Sequence, residues 1–242
     1  MESIGRQDGQ RAEEVAQAAP GGGSTRAVER ALGLLGQVCA DGGITLTECA
    51  RRVGVPTSTA LRLLRTLDRA GFVTRRRGVF EAGPRLLQLG AQAVGRQGLV
   101  RLSEPVLREL VRATGESAYL SMLGPDETAV CVAAVEGTHP VRHVNRVGRS
   151  VPLADTAVGM ALSGASPPEG YVARRESLEP DVTAIAAAIG RPGGIAGVLS
   201  LLGPTFRIDD GTLRRYGALV AGAAQGIAAQ FGRAAAAGRA GI

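Results

Sequence analysis

The sequence predicts an α+β chain with an N-terminal winged helix-turn-helix, a connecting helix, and a second domain in which helices flank a mainly antiparallel sheet. Three observations predict it. Between Ser24 and Ala70, apolar residues recur at helical spacing in three segments, each followed by glycine. Directly after Gly71 the pattern becomes that of a β-hairpin with a basic tip. Beyond Thr114, strand-like runs alternate with turns until a last helical stripe opens at Asp209-Asp210.

Residues Met1 to Gly23 are largely polar and end in Pro20-Gly21-Gly22-Gly23, which predicts a disordered arm. Ser24 or Thr25 caps a first helix with the stripe Val28, Ala31, Leu32, Leu35 and Val38, and Asp41-Gly42-Gly43 ends it. Ile44 to Leu46 reads as extended. Thr47 then caps a second helix whose Cys49, Ala50 and Val53 face inward, and Gly54 supplies the left-handed residue that turns the chain. Pro56 opens a third helix, where its missing N–H costs nothing. That helix runs to about Ala70 and buries Ala60, Leu63, Leu64 and Leu67. Phe72-Val73-Thr74 and Val79-Phe80 are the hairpin strands, and Arg75-Arg76-Arg77-Gly78 is the basic turn between them.

A connecting helix follows from Pro84 to about Gln97, then another from Ser103 to about Thr114 that buries Leu107, Leu110 and Val111. Strands are expected at Ala118 to Leu123, Ala129 to Val135, Val141 to Val147, Val182 to Ile189 and Ile195 to Leu202. The last helix carries Leu213, Tyr216, Val220, Ala223, Ile227 and Phe231. The expected organisation is an arm over 1–23, the winged helix-turn-helix over 24–83, a linker helix over 84–98, a second domain over 99–232, and a flexible tail over 233–242.

Composition narrows the function. The chain is 45% hydrophobic but only 3% aromatic, with no Trp, so its core is aliphatic. No apolar run reaches membrane-spanning length and the first residues carry no signal-peptide run, which predicts a cytoplasmic protein. All 28 basic residues are Arg, so no Schiff-base or phosphate-loop lysine exists. Cys39, Cys49 and Cys131 match no metal or redox spacing and are expected to be small buried hydrophobes. His139 and His143 stand four apart, but Pro140 lies between them, so no metal site is expected. There is no Ser-His-acid set, metal cluster or nucleotide loop; no cofactor is expected, and an enzyme is only a remote alternative.

Charge placement is more telling. Residues 24–84 hold ten arginines against five acids, nearly the whole +6 net charge in a quarter of the chain. A concentrated basic region is the footprint of a nucleic-acid surface. In a helix-turn-helix the second helix enters the major groove N-terminal end first. That end carries Thr57, Ser58 and Thr59, followed by Leu61, Arg62 and Arg65 off the buried stripe. Hydroxyls contact phosphates or base edges, Arg reads guanine bidentately, and Leu61 can press a thymine methyl. Arg75, Arg76 and Arg77 on the wing suit the DNA backbone or minor groove. One such module reads few base pairs, so a dimer on a palindromic duplex is expected.

The stretch from Thr25-Arg26-Ala27-Val28-Glu29-Arg30-Ala31 through Val55-Pro56-Thr57-Ser58-Thr59-Ala60-Leu61-Arg62-Leu63-Leu64-Arg65-Thr66-Leu67 to Ala70-Gly71-Phe72-Val73 resembles the IclR family of bacterial regulators. So do Thr114-Gly115-Glu116-Ser117, the run from Gly148 through Pro152-Leu153-Ala154-Asp155-Thr156-Ala157-Val158 to Gly159, and Ser200 to Ile208. The resemblance implies a winged domain joined by a helix to a GAF-like effector domain, dimers often paired into tetramers, and repression or activation of transcription at an operator. It also implies a pocket for a small organic acid, with Thr156, Ala157 and Val158 on a loop and Ser200 on a late strand. Arg174 and Arg175 are expected near the same region, where they would add charge. This chain departs from the family pattern at Met160, where Lys is usual, and at Ala184, where Cys is common. Its segment between Leu162 and Gly170-Tyr171 is also short. That shortening supports an alternative reading, a DNA-binding regulator whose effector domain senses no small molecule.

Overall fold

The computed structural model describes residues 24–96, 98–144, 146–165 and 167–239. The expected arm over 1–23 lies outside them. The chain divides into two compact units between Ala93 and Val94, and among the described residues no helix is long and apolar enough to cross a membrane.

The first unit holds α1 (Ser24–Asp41), β1 (Ile44–Thr45), α2 (Leu46–Val53), α3 (Thr57–Arg69), β2 (Val73–Arg76), β3 (Val79–Ala82) and the start of α4 (Pro84–Arg96). Its sheet has the order β1-β3-β2. The core joins Leu34 and Val38 of α1, Cys49 and Ala50 of α2, Ala60 and Leu64 of α3, and Phe80 of the hairpin. The buried stripe of α1 therefore runs through Leu34, with Ala31 and Leu35 at its flanks. Val28 and Leu32, assigned to the core from spacing, are 56% and 61% exposed. Cys39 is exposed as well, against the expectation of a buried thiol.

The cap of α2 is Thr45, not Thr47. Its hydroxyl accepts from the Glu48 N–H at 3.3 Å, and Thr45 with Glu48 three residues on is the pair from which capping boxes are built. Thr45→Ala is expected to cost ~0.5–2 kcal/mol in thermal unfolding, while Thr47→Ala at an exposed site stays within about 0.5 kcal/mol. Gly54 ends α2 in the left-handed region (φ 69°, ψ 34°), its N–H returned to Ala50 and Arg51.

The hairpin differs from the expected four-residue turn. Arg76 pairs with Val79, so Arg75 and Arg76 belong to β2 and only Arg77 and Gly78 form the tip. Both have positive φ, 46° and 87°, as a type I′ turn requires.

The second unit contains α5 (Gly98–Thr114), which starts five residues before the expected Ser103. It is followed by β4 (Ser117–Leu123), β5 (Thr128–Val135), β6 (Ser150–Pro152), α6 (Ala157–Leu162), β7 (Val172–Arg175), β8 (Val182–Arg191), β9 (Gly194–Pro204) and α7 (Asp210–Arg239). Helix α7 continues through Arg239, into the stretch expected to be a loose tail. Among the described residues these strands form one antiparallel sheet of order β6-β5-β4-β9-β8-β7. The described residues of the stretch expected as a strand, 141–144 and 146–147, are irregular.

Alternation splits the sheet into two faces. Ala118, Leu120, Ile185, Ala187, Leu199 and Leu201 pack with Leu107, Leu110 and Val111 of α5 and Tyr216, Val220 and Ile227 of α7. The other face meets α6 through Ala129, Ala186 and Val198 and carries the pocket described below.

Candidate functional site

The first site is the outer face of α3. Thr57, Ser58, Arg62 and Arg65 are exposed, while Thr59 and Leu61 are half-buried. Ser58, Leu61, Arg62, Arg65 and Arg69 surround one shallow depression with Asp68, as i, i+3 and i, i+4 spacing dictates. Thr59 lies outside it. The helix is capped by Pro56 without a side-chain bond, so its first-turn N–H groups point outward, a disposition suited to phosphate.

The basic residues differ in availability. Arg51 and Arg52 of α2 are neutralised by Glu48 and Asp41 at 2.6–2.7 Å. Those two guanidinium groups hold the Glu48 carboxyl at about 2. Arg62 and Arg65 have no ion pair among the described residues. On the wing, Arg75 lies over the Phe80 ring at 5.8 Å, directly across the ladder, and so covers the core. Arg76 and Arg77 are exposed at the end of the hairpin.

The second site is a narrow pocket of ≈ 50 Å³, a few water molecules' worth. It brings together all four residues named from the resemblance: Thr156, Ala157 and Val158 at the start of α6, and Ser200 on β9. The floor is one sheet face, carrying Tyr119, Ser121, Cys131, Ala184, Ser200 and Leu202. Tyr119 stands opposite Ser200, and Ala184 opposite Leu202. A bulge in β5, where Ser121 pairs with Cys131 after Leu120 has paired with Ala133, sets the aim of Cys131.

The Thr156 hydroxyl is committed to structure. It donates to the Pro152 carbonyl at 2.9 Å and accepts from the Gly159 N–H at 3.1 Å. Gly159 is required where it stands, because a Cβ there would lie 1.8 Å from the Leu153 oxygen. Polar contact from this loop is thus left to the backbone N–H groups of the first turn. Burial pushes the Cys131 thiol up to about 11, which makes it inert near neutrality.

Further polar groups line the pocket beyond those named from the resemblance, among them Tyr119, Arg146, Arg149 and Glu179. Tyr119 was legible as the alternate residue of β4. The others sit on irregular segments. Arg146 forms an ion pair with Glu179, and the His143 Nε2 lies 2.8 Å from the same carboxylate. Burial, then the Arg146 guanidinium, holds His143 below its ordinary range. A neutral ring that gives Nε2–H to Glu179 accepts the Tyr119 hydroxyl at Nδ1, 2.9 Å away. The Val144 carbonyl, 2.8 Å from that hydroxyl, competes for the same proton. Burial pushes the Tyr119 phenol up to about 12, so it stays protonated.

Arg174 and Arg175 do not reach the pocket. Arg174 approaches the Met160 sulfur at 3.1 Å and Arg175 pairs with Asp210 at 2.7 Å. Among the described residues, the short segment between α6 and β7 contributes nothing to the lining, which includes Ser177, Leu178 and Glu179 of the β7–β8 loop. The two histidines serve different partners, His139 facing the buried Glu116 at 3.9 Å and His143 the Tyr119 hydroxyl and the Glu179 carboxylate. Among the described residues no group of three or more metal-ligating side chains forms.

Comparison with known proteins gives two family matches. Residues 27–77 match the IclR helix-turn-helix domain. Residues 91–170 match the C-terminal domain of the bacterial transcriptional regulator IclR. The HTH-type transcriptional regulator BhcR of Paracoccus denitrificans is 29% identical over 228 residues, 79% of this chain and 82% of that one. Among solved structures, an IclR transcriptional regulator from Alicyclobacillus acidocaldarius superposes with a TM-score of 0.74 at 24% identity, over 84% of this chain and 98% of that one. An IclR homolog from Microbacterium hydrocarbonoxydans, complexed with 4-hydroxybenzoate, gives 0.69 at 21% identity over 84% and 98%.

Proposed function

The chain belongs to the IclR family of bacterial transcriptional regulators, and from that premise we propose that it binds a palindromic operator as a dimer, or as a tetramer of paired dimers, with a small organic acid tuning the grip. The families and relatives it matches are transcriptional regulators rather than enzymes.

One observation carries the DNA-binding reading: α3 presents Arg62 and Arg65, free of acidic partners among the described residues, beside Ser58 and Leu61. In this reading α3 lies in the major groove, where Arg62 and Arg65 contact base edges and Thr57, Ser58 and Thr59 contact phosphates or bases. Arg76 and Arg77 reach backbone or minor groove from the wing, and Arg75 supports the wing through Phe80. Self-association is supported by apolar side chains left uncovered in the first unit. Val28 and Leu32 lie one turn apart on α1, and Leu87 on α4 is 76% exposed. Burying such side chains against a second copy follows from the hydrophobic effect.

Effector tuning is supported by the convergence of Thr156, Ala157, Val158 and Ser200 on one pocket with two arginines. The acid held by the Microbacterium hydrocarbonoxydans homolog agrees with that chemistry. The alternative, a regulator that senses no small molecule, is favoured by one observation: Arg146 is already neutralised from within by Glu179. Thermal-shift screening with small organic acids separates the two, since a clear melting shift refutes the alternative.

Mobility shifts with DNA from upstream of the chain's own gene test the operator reading. Retention of a discrete complex is expected at low salt, with affinity falling ~10³–10⁵-fold between about 50 and 200 mM salt if six to ten phosphates are neutralised. Binding indifferent to sequence and salt overturns it.

A further inference from the structure

We propose that Glu179 is a built-in carboxylate occupying the pocket's inner cation, Arg146, and that an acid ligand binds by taking its place. The proposal rests on the reading of this pocket as an acid site. Arg146 lies in the wall between two spaces, the pocket and an outer cleft lined by Val141, Val144, Pro180 and Phe206. Glu179 and Val182 line both spaces as well, and His143 backs Glu179 from the cleft side.

The two partners of the ion pair are unequal. The Arg146 side chain is 18% exposed and Glu179 39%. A largely shielded guanidinium needs an anion beside it, whereas a half-exposed carboxylate can turn into water and be hydrated. Exchanging Glu179 for a ligand carboxylate leaves one cation and one anion in the pocket before and after, so no charge is stranded. The exchange is a side-chain movement. The loop that carries Glu179 is tied at its base by Glu176 N–H to the Val182 carbonyl and Thr205 N–H to the Asp181 carbonyl, both 2.7 Å. Pro180 stiffens the backbone next to it.

This arrangement sets the ligand class. One shielded cation selects one carboxylate. Val151, Val158, Leu178 and Leu202 around it suit a compact apolar body. The cleft outside, where Val141, Val144 and Phe206 are 60%, 66% and 77% exposed, extends the apolar surface past the partition. Arg149 lines the pocket, is exposed, and has no acidic partner among the described residues. It draws the anion to the mouth, and Glu179 is the residue that sets how tightly the anion is kept.

Calorimetric titration of the full chain with benzoate, and with benzamide as its neutral counterpart, tests this in wild type, Glu179→Gln and the Glu179→Gln/Arg146→Gln pair. Glu179→Gln is expected to bind benzoate about tenfold tighter than wild type, as removal of a competing charge at close range implies. Benzamide is expected to be unaffected, and the double variant to lose the gain. Benzoate bound by Glu179→Gln and not by wild type supports the proposal most strongly. Equal benzoate affinity in wild type and Glu179→Gln overturns the proposal and leaves the acid-pocket reading standing. No heat with benzoate or any straight-chain acid from acetate to octanoate, in either protein, overturns the reading and the proposal together. Melting curves check the fold of each variant, and Glu179→Asp, which keeps the charge and shortens the reach, is expected to fall between wild type and Glu179→Gln.

Discussion

Arg62→Ala combined with Arg65→Ala is expected to lower operator affinity by roughly two to four orders of magnitude without unfolding the protein. Each Arg that reads a base edge is worth ~1–3 kcal/mol of recognition, and every 1.4 kcal/mol is about tenfold. Both side chains are exposed on α3, and no described acid holds either of them, so their removal changes stability by no more than about 0.5 kcal/mol each. Fluorescence anisotropy with a labelled operator duplex measures the affinity, and melting curves verify the fold. Arg51→Ala is the internal control. Its guanidinium is bound to Glu48 at 2.6 Å, so a much smaller loss is expected. A double variant that binds the operator like wild type would place recognition elsewhere.

Glu116→Ala has the largest expected effect on stability. Glu116 stands just before β4 with its side chain fully buried, and Arg207 donates to both of its oxygens at 2.6 and 3.0 Å. Arg207 also donates to the Val141 carbonyl at 2.9 Å, so the pair ties the end of β9 to the irregular segment that later supplies His143 and Arg146. Breaking a buried pair by deleting one partner costs ~3–5 kcal/mol, because the other charge is left uncompensated. In a unit of this size that corresponds to a fall in melting temperature of roughly 6–20 °C. Glu116→Leu combined with Arg207→Leu is expected to recover much of the loss, since no lone charge remains. Calorimetric unfolding of the three proteins decides it; a Glu116→Ala protein within 1 kcal/mol of wild type would mean that water already screens the pair.

Where the sequence was legible, local chemistry and tertiary packing agreed. Gly54 could be read as the turn of the helix-turn-helix because the left-handed region admits glycine at low cost. Where they diverged, the competing signals are identifiable. Helix α1 carries Leu, Val and Ala around much of its circumference, so spacing admits a stripe through Val28 and Leu32 as readily as one through Leu34. Packing against Leu64 and Phe80 chose Leu34. Thr45 and Thr47 are both capable caps, and Glu48 at the capping-box distance favours Thr45. Val141, Val144 and Val147 repeat every three residues, not every two, and all three are exposed; valine content suggested a strand that the spacing does not support. The wing was placed correctly as a hairpin, but the positive φ at Arg77 shortened its turn and moved Arg75 and Arg76 into β2.

The pocket shows the same division. Tyr119, Ser121 and Ser200 follow from alternation once β4 and β9 are paired. Arg146 and Glu179 lie 33 positions apart on irregular segments, each beside residues that show no period, and no local pattern joins them. Their pairing is a product of topology, which sets the β7–β8 loop against the segment that follows β5.

The proposed mode of binding is recognition of a two-fold operator by a pair of winged helix-turn-helix units. Hydroxyl-radical footprinting on DNA from upstream of the chain's own gene tests it most directly. Two equivalent protected half-sites related by a two-fold axis are expected, their centres about 34 Å or a multiple of it apart on one face of the duplex. Arg62→Ala/Arg65→Ala should erase both together. A single unrepeated protected patch, or protection that spreads evenly along any DNA of the same length, would contradict it.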